Sequence, residues 1–333
     1  MFMLPKGRYR RIAFTKAAHA QEDSRISPLT SRNVRFDVAR SLRSRCGPMS
    51  PARCAPGCGP AASSVGHRTP GYDAHARGYR ERMQFDGLHA VADYAALYTC
   101  LRQVAFAGFL RERLGNFVAR CDPAERAVVF TSTSPPGQDG QHDPFRSRAI
   151  LIAVIETDAI VWGWAHPRGE PSGPASALRD VGARFGVDDF AVPRVPLPPN
   201  LSRDQITGYR TQAIDIVAAA AVESTGISPY WTARLDDGEL AVYLLDDVAL
   251  PEPSFADFAT TMPTVMRSLA VNDHRVAIHG MAARRGWHIS WRTGSDGGRS
   301  PICDVTDGES VAHVEFDRRA RPVDFSCELV GQA

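Results

Sequence analysis

The feature that most restricts the fold is a short Asp-Asp-Gly turn between two β-rich runs at residues 230–245. The first run is Tyr-Trp-Thr-Ala-Arg-Leu and the second is Glu-Leu-Ala-Val-Tyr-Leu-Leu, with Asp236, Asp237 and Gly238 between them. Asp-Gly flanked by alternating apolar residues is a strong signal for a β-hairpin, because it suits the positive φ angles of a tight turn. Strands joined by so few residues are antiparallel, so the sequence disfavours a parallel Rossmann sheet.

A second hairpin is predicted at residues 149–165. Two apolar runs, Ala-Ile-Leu-Ile-Ala-Val-Ile and Ala-Ile-Val-Trp-Gly-Trp-Ala, are separated there by the short polar turn 156–158. Because side chains alternate along a strand, Ile160, Trp162 and Trp164 are predicted to lie on one face. Both runs are apolar on both faces, so this hairpin is predicted to be central and covered on each side.

A third hairpin is predicted from residues 275–281 and 287–291, which flank a turn at 284–286. Its second strand would place three side chains on one face: Trp287, Ile289 and Trp291. Two further strands are predicted at 127–133 and 311–317.

Apolar residues at three-and-four spacing predict helices before and between these hairpins. The predicted helices cover 88–117; 172–185, with Ser172 as its cap; 206–226, closed by Gly226; and 255–270, with Pro263 as a kink or a break. A helix followed by a hairpin thus occurs three times, at 88–165, 206–246 and 256–292. This order predicts an α+β fold, with an antiparallel sheet built of repeated helix–hairpin units.

Residues 1–82 differ in composition from the rest of the chain. They hold 16 Lys and Arg against 5 Asp and Glu, whereas the remainder holds 23 against 32. The segment lacks apolar periodicity, so it is predicted to be a disordered basic extension. It is interpreted as a flexible extension or as the result of a start codon assigned too early. The alternative is a basic arm for nucleic acid or an acidic membrane.

The ordered part is predicted to comprise residues 83–192, with a helix, the tryptophan-bearing hairpin and a helix, and residues 201–325, with two further helix–hairpin units. The proline-rich segment 193–200 is the predicted linker, and the two parts are expected to pack together. Residues 134–147 are predicted to form a polar loop.

Cysteine usage and hydropathy indicate a reduced, cytoplasmic protein. Seven cysteines occur without the spacing of a disulfide framework, so reduced thiols are expected. No run of about 18 uncharged apolar residues occurs, so no membrane span is expected. Cys54 and Cys58 lack a second ligand pair and are only a weak sign of zinc.

The segment Ile-Val-Trp-Gly-Trp-Ala-His-Pro, followed by the helix Ala-Ser-Ala-Leu-Arg-Asp-Val-Gly-Ala-Arg-Phe-Gly-Val, resembles a known family. This is DUF6882, an uncharacterised family of bacterial, mostly actinobacterial, proteins. Trp162, Trp164, Ala165 and Pro167 match the family pattern, whereas His166 stands where Asn is usual. The resemblance covers roughly residues 83–250 and implies no established activity, because the family has none to transfer.

Three residues of this segment are candidates for ligand binding. Trp162 and Trp164 would either line a groove, where indole faces bind apolar ligands, sugars or peptide side chains, or pack as core beneath the helix 172–185. His166 lies just past the strand, where it is either a ligand or base at the sheet rim or a surface histidine at a turn.

His274, His279 and His288 lie in the third predicted hairpin, where two of the three imidazoles could meet across the ladder. No Glu or Cys accompanies them at metal-site spacing, so no metal is predicted, and no cofactor is predicted either. The sequence also lacks a Gly-x-Ser-x-Gly elbow, a P-loop and a Gly-x-Gly-x-x-Gly motif.

The leading hypothesis is therefore a non-catalytic binding or interaction module that uses the tryptophan-bearing sheet, with a protein or small-molecule partner. Nucleic acid is an expected partner only for the basic extension. The alternative is an unrecognised enzyme, possibly a hydrolase, with its site at the hairpin rims near His166 and His279.

Overall fold

The computed structural model describes residues 10–13, 86–122, 124–133, 143–199, 202–235, 237–293 and 301–330. Its helices are α1 (Asp86–Leu114), α2 (Ser176–Phe185), α3 (Asp188–Ala191), α4 (Arg203–Thr225), α5 (Phe255–Ser268) and α6 (His274–Arg285). Its strands are β1 (Arg10–Ala13), β2 (Phe117–Asp122), β3 (Ala127–Ser132), β4 (Phe145–Ile155), β5 (Ala159–Trp162), β6 (Arg194–Pro196), β7 (Tyr230–Arg234), β8 (Leu240–Leu245), β9 (His288–Thr293), β10 (Pro301–Thr306), β11 (Val311–Phe316) and β12 (Pro322–Leu329). The predicted disorder of residues 1–82 lies outside the described residues, apart from Arg10–Ala13.

A seven-stranded antiparallel sheet forms the first half of the fold. Its strands run in the order β2-β3-β4-β5-β6, and β8 pairs with both β4 and β7. The two hairpins β4–β5 and β7–β8 are those that the sequence predicts, and Gly238 has the positive φ of 82° expected in the second turn. Strand β4 is central, with Ile152 in the main core and Val154 in a smaller cluster on the opposite face. The predicted α+β class with antiparallel sheet is confirmed.

A second antiparallel sheet forms the C-terminal part, in the order β1-β12-β11-β10-β9. One face packs on the main core through side chains that alternate along each strand: Cys303, Val305, Ala312, Val314, Phe316, Phe325 and Cys327. The opposite face carries polar residues such as Asp304 and His313. In this part β9 and β11 correspond to strands that the sequence predicts, at 287–291 and 311–317, whereas β10 and β12 were missed.

Helix α1 lies at the centre and packs along both α4 and α6. Leu97 and Leu101 on this helix are buried in the main core. At Gly280 of α6, an added Cβ atom would overlap the carbonyl oxygen of Tyr94 of α1. The two helices therefore approach so closely that only glycine fits at this crossing.

The third predicted hairpin is wrong, because residues 274–285 form helix α6. The buried residues Ala277, Ile278 and Met281 are spaced for one helix face rather than for a strand. The helix begins where the Asp273 carboxylate accepts a hydrogen bond from the Arg275 backbone N–H at 2.9 Å. It ends at the left-handed residue 286, which the sequence prediction had placed in a hairpin turn.

This helix also separates the three histidines. His274 and His279 are on α6, whereas His288 begins β9, which pairs with β10. The imidazoles of His279 and His288 therefore do not face each other across a ladder, and the third predicted helix–hairpin unit is not formed.

Several predicted boundaries also differ from the structure. Helix α2 begins at Ser176, and Ala175 precedes it without a side-chain cap, so Ser172 is not its cap. Helix α1 ends at Leu114, and the unpredicted strand β2 follows it. Strand β4 begins inside the predicted loop 134–147, and strand β6 lies inside the predicted linker 193–200.

Two predicted helices closely match the structure. Helix α4 has a capping box between Ser202 and Gln205 and ends at Gly226, which has a φ of 73°. Helix α5 runs through Pro263, so this residue does not break the helix. None of the helices in the described ranges is long and apolar enough to cross a membrane.

Candidate functional site

Trp162 is the last residue of β5 and lies in the main core. Its side chain is fully buried, and its indole ring meets the Phe190 ring of α3 edge to face, with centroids 5.4 Å apart. The indole Nε1–H donates a hydrogen bond to the backbone carbonyl of Asp189 at 2.8 Å. A ligand cannot contact this tryptophan unless the core opens.

Trp164 does not share a strand face with Trp162, because β5 ends at Trp162. The N–H of Gly163 donates to the carbonyl of Ile152 at 2.6 Å, and an added Cβ at Gly163 would overlap the β4 backbone. The chain then turns, with the Ala165 and His166 amides both donating to the Trp162 carbonyl. Because Gly163 lies so close to β4, the chain turns before Trp164. Trp164 therefore does not lie on the strand face that was predicted to hold both tryptophans.

The Trp164 side chain is half-buried against the main core. The Arg179 guanidinium of α2 lies over its ring, 5.4 Å from the centroid, which is a cation–π contact. The indole Nε1 is buried and has no hydrogen-bond partner among the described residues. Trp164 is therefore held by its contact with Arg179 and by packing against the core rather than by a hydrogen bond from its indole N–H.

His166 lies where the two predicted hairpin turns approach each other. Burial lowers its pKa, and the charge of Arg168 adds to this, while Glu156 and Asp237 act in the opposite direction. The backbone N–H of Arg168 donates to His166 Nδ1 at 3.2 Å. The neutral ring therefore carries its proton on Nε2, where it can act as a hydrogen-bond donor.

The charges around His166 connect the two turns. Arg194 of β6 binds Glu156 at 2.6 Å and Asp158 at 2.8 Å. Arg210 of α4 donates to backbone carbonyls at the ends of both hairpins, those of Ile155 and Gly238. The bonds of Arg210 fix the relative position of the two turns, whereas those of Arg194 join β6 to the first turn. Both arginines therefore have a structural role at this rim.

The carboxyl group of Glu239 has a different environment at the same rim. Burial raises its pKa, and the nearby charges of Asp237 and Glu156 raise it further. A carboxyl with a raised pKa and a histidine with a lowered pKa at the same rim form a pattern found in acid–base sites. Structural charge networks produce the same pattern.

An open pocket of about 350 Å³ lies between α6 and the strands β9 and β10. Its walls are formed by Asp273, Arg275, Val276, His279, Trp291 and Pro301. Trp291 is opposite the buried Cys303 in the β9–β10 ladder, so both side chains are on the core-facing side of the sheet. The Trp291 side chain is nevertheless 43% exposed, because the helix does not cover this corner.

Arg275 and Asp273 form the polar wall of this pocket. The guanidinium donates through Nε and Nη2 to the Asp273 carboxylate, at 2.9 Å and 2.6 Å. Burial raises the pKa of Asp273, but the hydrogen bonds from Arg275 outweigh burial, so the pKa lies below its ordinary value. Asp273 is therefore ionised at neutral pH and is fixed against Arg275.

His279 forms the remaining polar part of the pocket, one helical turn beyond Arg275. Its ring lies 6.3 Å from the ring of Tyr94 on α1, in a tilted arrangement. Neither of its ring nitrogens has a hydrogen-bond partner among the described residues. The pocket thus adjoins the central helix as well as the C-terminal sheet.

A histidine–aspartate pair lies on the outer face of the C-terminal sheet. His313 Nδ1 and Asp304 Oδ1 are 2.6 Å apart, and Arg292 binds the same carboxylate at 2.9 Å. Ser326 is directly opposite His313 in the β11–β12 ladder, so the three side chains follow the order of a serine hydrolase triad. However, no hydrogen bond joins this serine to His313 within the described ranges, so no activated nucleophile is formed.

The cysteines of the described part are also poor nucleophiles. Burial raises the pKa of Cys100 and of Cys303 to about 12, and that of Cys121 and of Cys327 to about 11. All four are free thiols. Since the thiolate is the reactive form, these side chains are inert at neutral pH.

Metal binding finds no support in the part of the chain that the structure describes. No group of three or more His, Cys, Asp or Glu side chains there could hold a metal ion. Cys54 and Cys58 lie outside the described residues.

The sequence prediction placed His279 and Trp291 on the two strands of one hairpin. In the structure they lie on helix α6 and on β9, the strand that follows it. Arg275 was missed, since its only sequence signal is a charge next to a helix-capping aspartate.

Comparison with known proteins gives a family match. The model of a family of unknown function, DUF6882, matches residues 89–248. No curated protein matches the chain, and no solved structure matches it. The matched range runs from α1 to just beyond β8 and includes the segment from Trp162 to Pro167 that carries the resemblance. Residues 89–248 of this chain are therefore the segment that is similar to DUF6882.

Proposed function

We propose that this protein is a non-catalytic binding module that holds a small organic ligand in the pocket between α6, β9 and β10. The observation that carries this proposal is the exposure of Trp291 on the core-facing side of β9. An indole in that position normally packs under a helix, and here it forms the wall of an open pocket. Aromatic walls with a few polar groups are typical of ligand sites.

The polar groups of the pocket favour binding over catalysis. None of the described side chains that line it is a serine, threonine or cysteine that could serve as a nucleophile. Asp273 is occupied by Arg275 and is a poor proton acceptor, because its pKa is lowered. The pocket offers orientation and contact area rather than a reacting group.

A second candidate function is hydrolysis at the hairpin rim, and one observation favours it. His166 lies close enough to Glu156 and Asp237 for both charges to influence its pKa. If this site is catalytic, His166→Gln abolishes hydrolysis of an activated ester by the purified protein. An unchanged rate of ester hydrolysis in His166→Gln would show that the residues at the hairpin rim have only a structural role.

The pocket proposal is tested with the full chain labelled with 5-fluorotryptophan. The five tryptophans give five fluorine resonances, and Trp291→Phe identifies the signal of residue 291. In a screen of small-molecule fragments, we expect the hits to shift this signal, and Trp291→Ala to abolish their binding in calorimetry.

Phe185→Ala is the matched control, since Phe185 is a large side chain, 65% exposed, that does not line the pocket. This variant should bind the hits as the parent does. Hits that leave the Trp291 signal in place, or that bind Trp291→Ala unchanged, contradict the proposal. A cytoplasmic location remains part of this proposal.

A further inference from the structure

We infer that the pocket selects a small planar carboxylate, such as an aromatic acid. This inference rests on the proposed function, because it names the class of ligand for the same pocket. It depends on three features of the described residues: the apolar walls, the excess of hydrogen-bond donors and the size of the cavity.

The apolar walls suit a flat ring. In the β9–β10 ladder Trp291 pairs with Cys303, and Pro301 pairs with Thr293, so Trp291 and Pro301 are diagonal neighbours on one sheet face. Val276 of α6 lines the opposite side. A planar ring that enters between them gains stacking on the exposed indole and contact with two aliphatic surfaces.

The polar groups of the pocket are mainly donors. Asp273 Oδ1 already accepts from the backbone N–H and from Nε of Arg275, and Oδ2 accepts from Nε and Nη2. Arg275 Nη1 has no partner among the described residues, and neither does the imidazole of His279. A ligand with acceptor oxygens satisfies these donors, whereas one with only N–H groups does not.

Arg275 is held in a fixed orientation for such an acceptor. Its two bonds to Asp273 set the plane of the guanidinium, so Nη1 is presented without a further loss of side-chain freedom. A bond from a guanidinium to a carboxylate is charge-assisted and stronger than a bond to a neutral carbonyl. The same ring should therefore bind more tightly as an acid than as an amide.

The size of the cavity favours a small ligand. Its volume of about 350 Å³ is near the lower limit of ligand pockets, which span about 300–1,000 Å³. A one- or two-ring acid fits this space, whereas most of a dinucleotide or a peptide would extend beyond it into solvent.

The test compares indole-3-carboxylate with indole-3-carboxamide, which share a ring and differ in charge. Binding to the full chain is measured by calorimetry and by the fluorine signal of Trp291. We expect the acid to bind at least about tenfold more tightly than the amide. Arg275→Gln should remove this difference by weakening the acid alone, and Trp291→Ala should weaken both ligands.

Arg292→Gln is the matched control. It removes the same charge, but from the outer face of β9, the strand that carries Trp291. It should leave both affinities unchanged. Arg275→Lys keeps the charge and loses the planar fork, so it should restore only part of the preference for the acid. Each variant is compared with the parent by its melting temperature, and Arg275→Lys serves as the decisive variant if Arg275→Gln fails to fold.

Equal binding of acid and amide, or equal weakening of both by Arg275→Gln, overturns the inference. So does binding of neither probe, and the fragment screen then separates two cases. If other fragments shift the Trp291 signal, the ligand class is wrong and the binding pocket stands. If no fragment shifts it, the proposed function fails as well.

Discussion

Gly280 of α6 lies directly against the backbone carbonyl oxygen of Tyr94 of α1, with no space for a Cβ atom. The contact fixes how closely the C-terminal part approaches the central helix. It also sets the position of His279, the neighbouring residue of α6, beside the ring of Tyr94.

Gly280→Ala should destabilise the protein by about 1–3 kcal/mol, because the added methyl group forces the two helices apart. Urea denaturation measures this change. Gly108→Ala is the control, since Gly108 lies inside α1 with open space around its Cα atom. There alanine should stabilise by up to about 1 kcal/mol through helix propensity. Equal changes in the free energy of unfolding for Gly280→Ala and Gly108→Ala would contradict the overlap between a Cβ atom at position 280 and the Tyr94 carbonyl oxygen.

Trp162→Ala should cost about 3–5 kcal/mol, because it leaves a cavity in the main core. Trp162→Phe should cost less, about 1–3 kcal/mol, since it keeps a ring but leaves the Asp189 carbonyl without its donor. The comparison is Trp291→Ala, expected to cost less than about 1 kcal/mol because its side chain is partly exposed. A Trp162→Ala protein with the parental unfolding midpoint would exclude the core assignment.

Arg102→Leu should destabilise by about 2–4 kcal/mol, since the buried guanidinium bonds three acceptors. Its Nε donates to Ser228, and its Nη1 donates to the carbonyls of Leu250 and Pro251. A leucine leaves these oxygens unpaired. Arg113→Leu on the same helix is the control, because the exposed Arg113 guanidinium lies over the rings of Phe109 and Phe145 and has no hydrogen-bond partner among the described residues. Its loss should change the free energy of unfolding by less than about 1 kcal/mol.

Acid should destabilise the protein in part through His274. Burial lowers its pKa, against weaker opposing effects that include the Met266 carbonyl and the charges of Asp273 and Asp93. A lowered pKa in the folded state means that the unfolded chain binds the proton first. Stability is therefore complete above the unfolded value of about 6.5 and falls as the pH drops towards the folded value.

His274→Gln isolates this contribution, because an amide does not titrate. The difference in free energy of unfolding between the parent and this variant should shrink when the pH is lowered from 7 to 5. His166, whose pKa is also lowered, remains in both proteins and cancels from the comparison. A difference that is constant over this range would show that His274 is not held neutral by burial.

The parts of the fold that could be predicted are those with local signals. The turn at Gly238 and the polar turn 156–158 fix two hairpins through a few residues each, and Gly226 ends α4 by its left-handed conformation. Burial of Trp162 also follows from its place in an apolar strand.

Helix α6 was not predictable in the same way, because the spacing of its few apolar residues fits both a strand and a helix. Val276, Ile278 and Gly280 alternate as in a strand, whereas Ala277, Ile278 and Met281 form a helical face. A glycine at 286 suits either a hairpin turn or a helix end. Only packing against α1 decides between them.

The pocket had no local signal at all. Arg275 and Trp291 are 16 positions apart, on elements whose meeting depends on how α6 lies across the C-terminal sheet. Long-range packing of this kind leaves no pattern in the residues between them.

The position of α1 limits how the DUF6882 segment can be separated from the rest of the chain. The match ends at residue 248, yet α1 inside it packs along α6, which lies outside it. A fragment that stops at 248 exposes to water the side of α1 that packs against α6. The exposed surface includes the backbone at Tyr94, against which Gly280 lies. Transplanting this segment into another protein therefore requires a replacement for α6 that has a small residue at the same crossing.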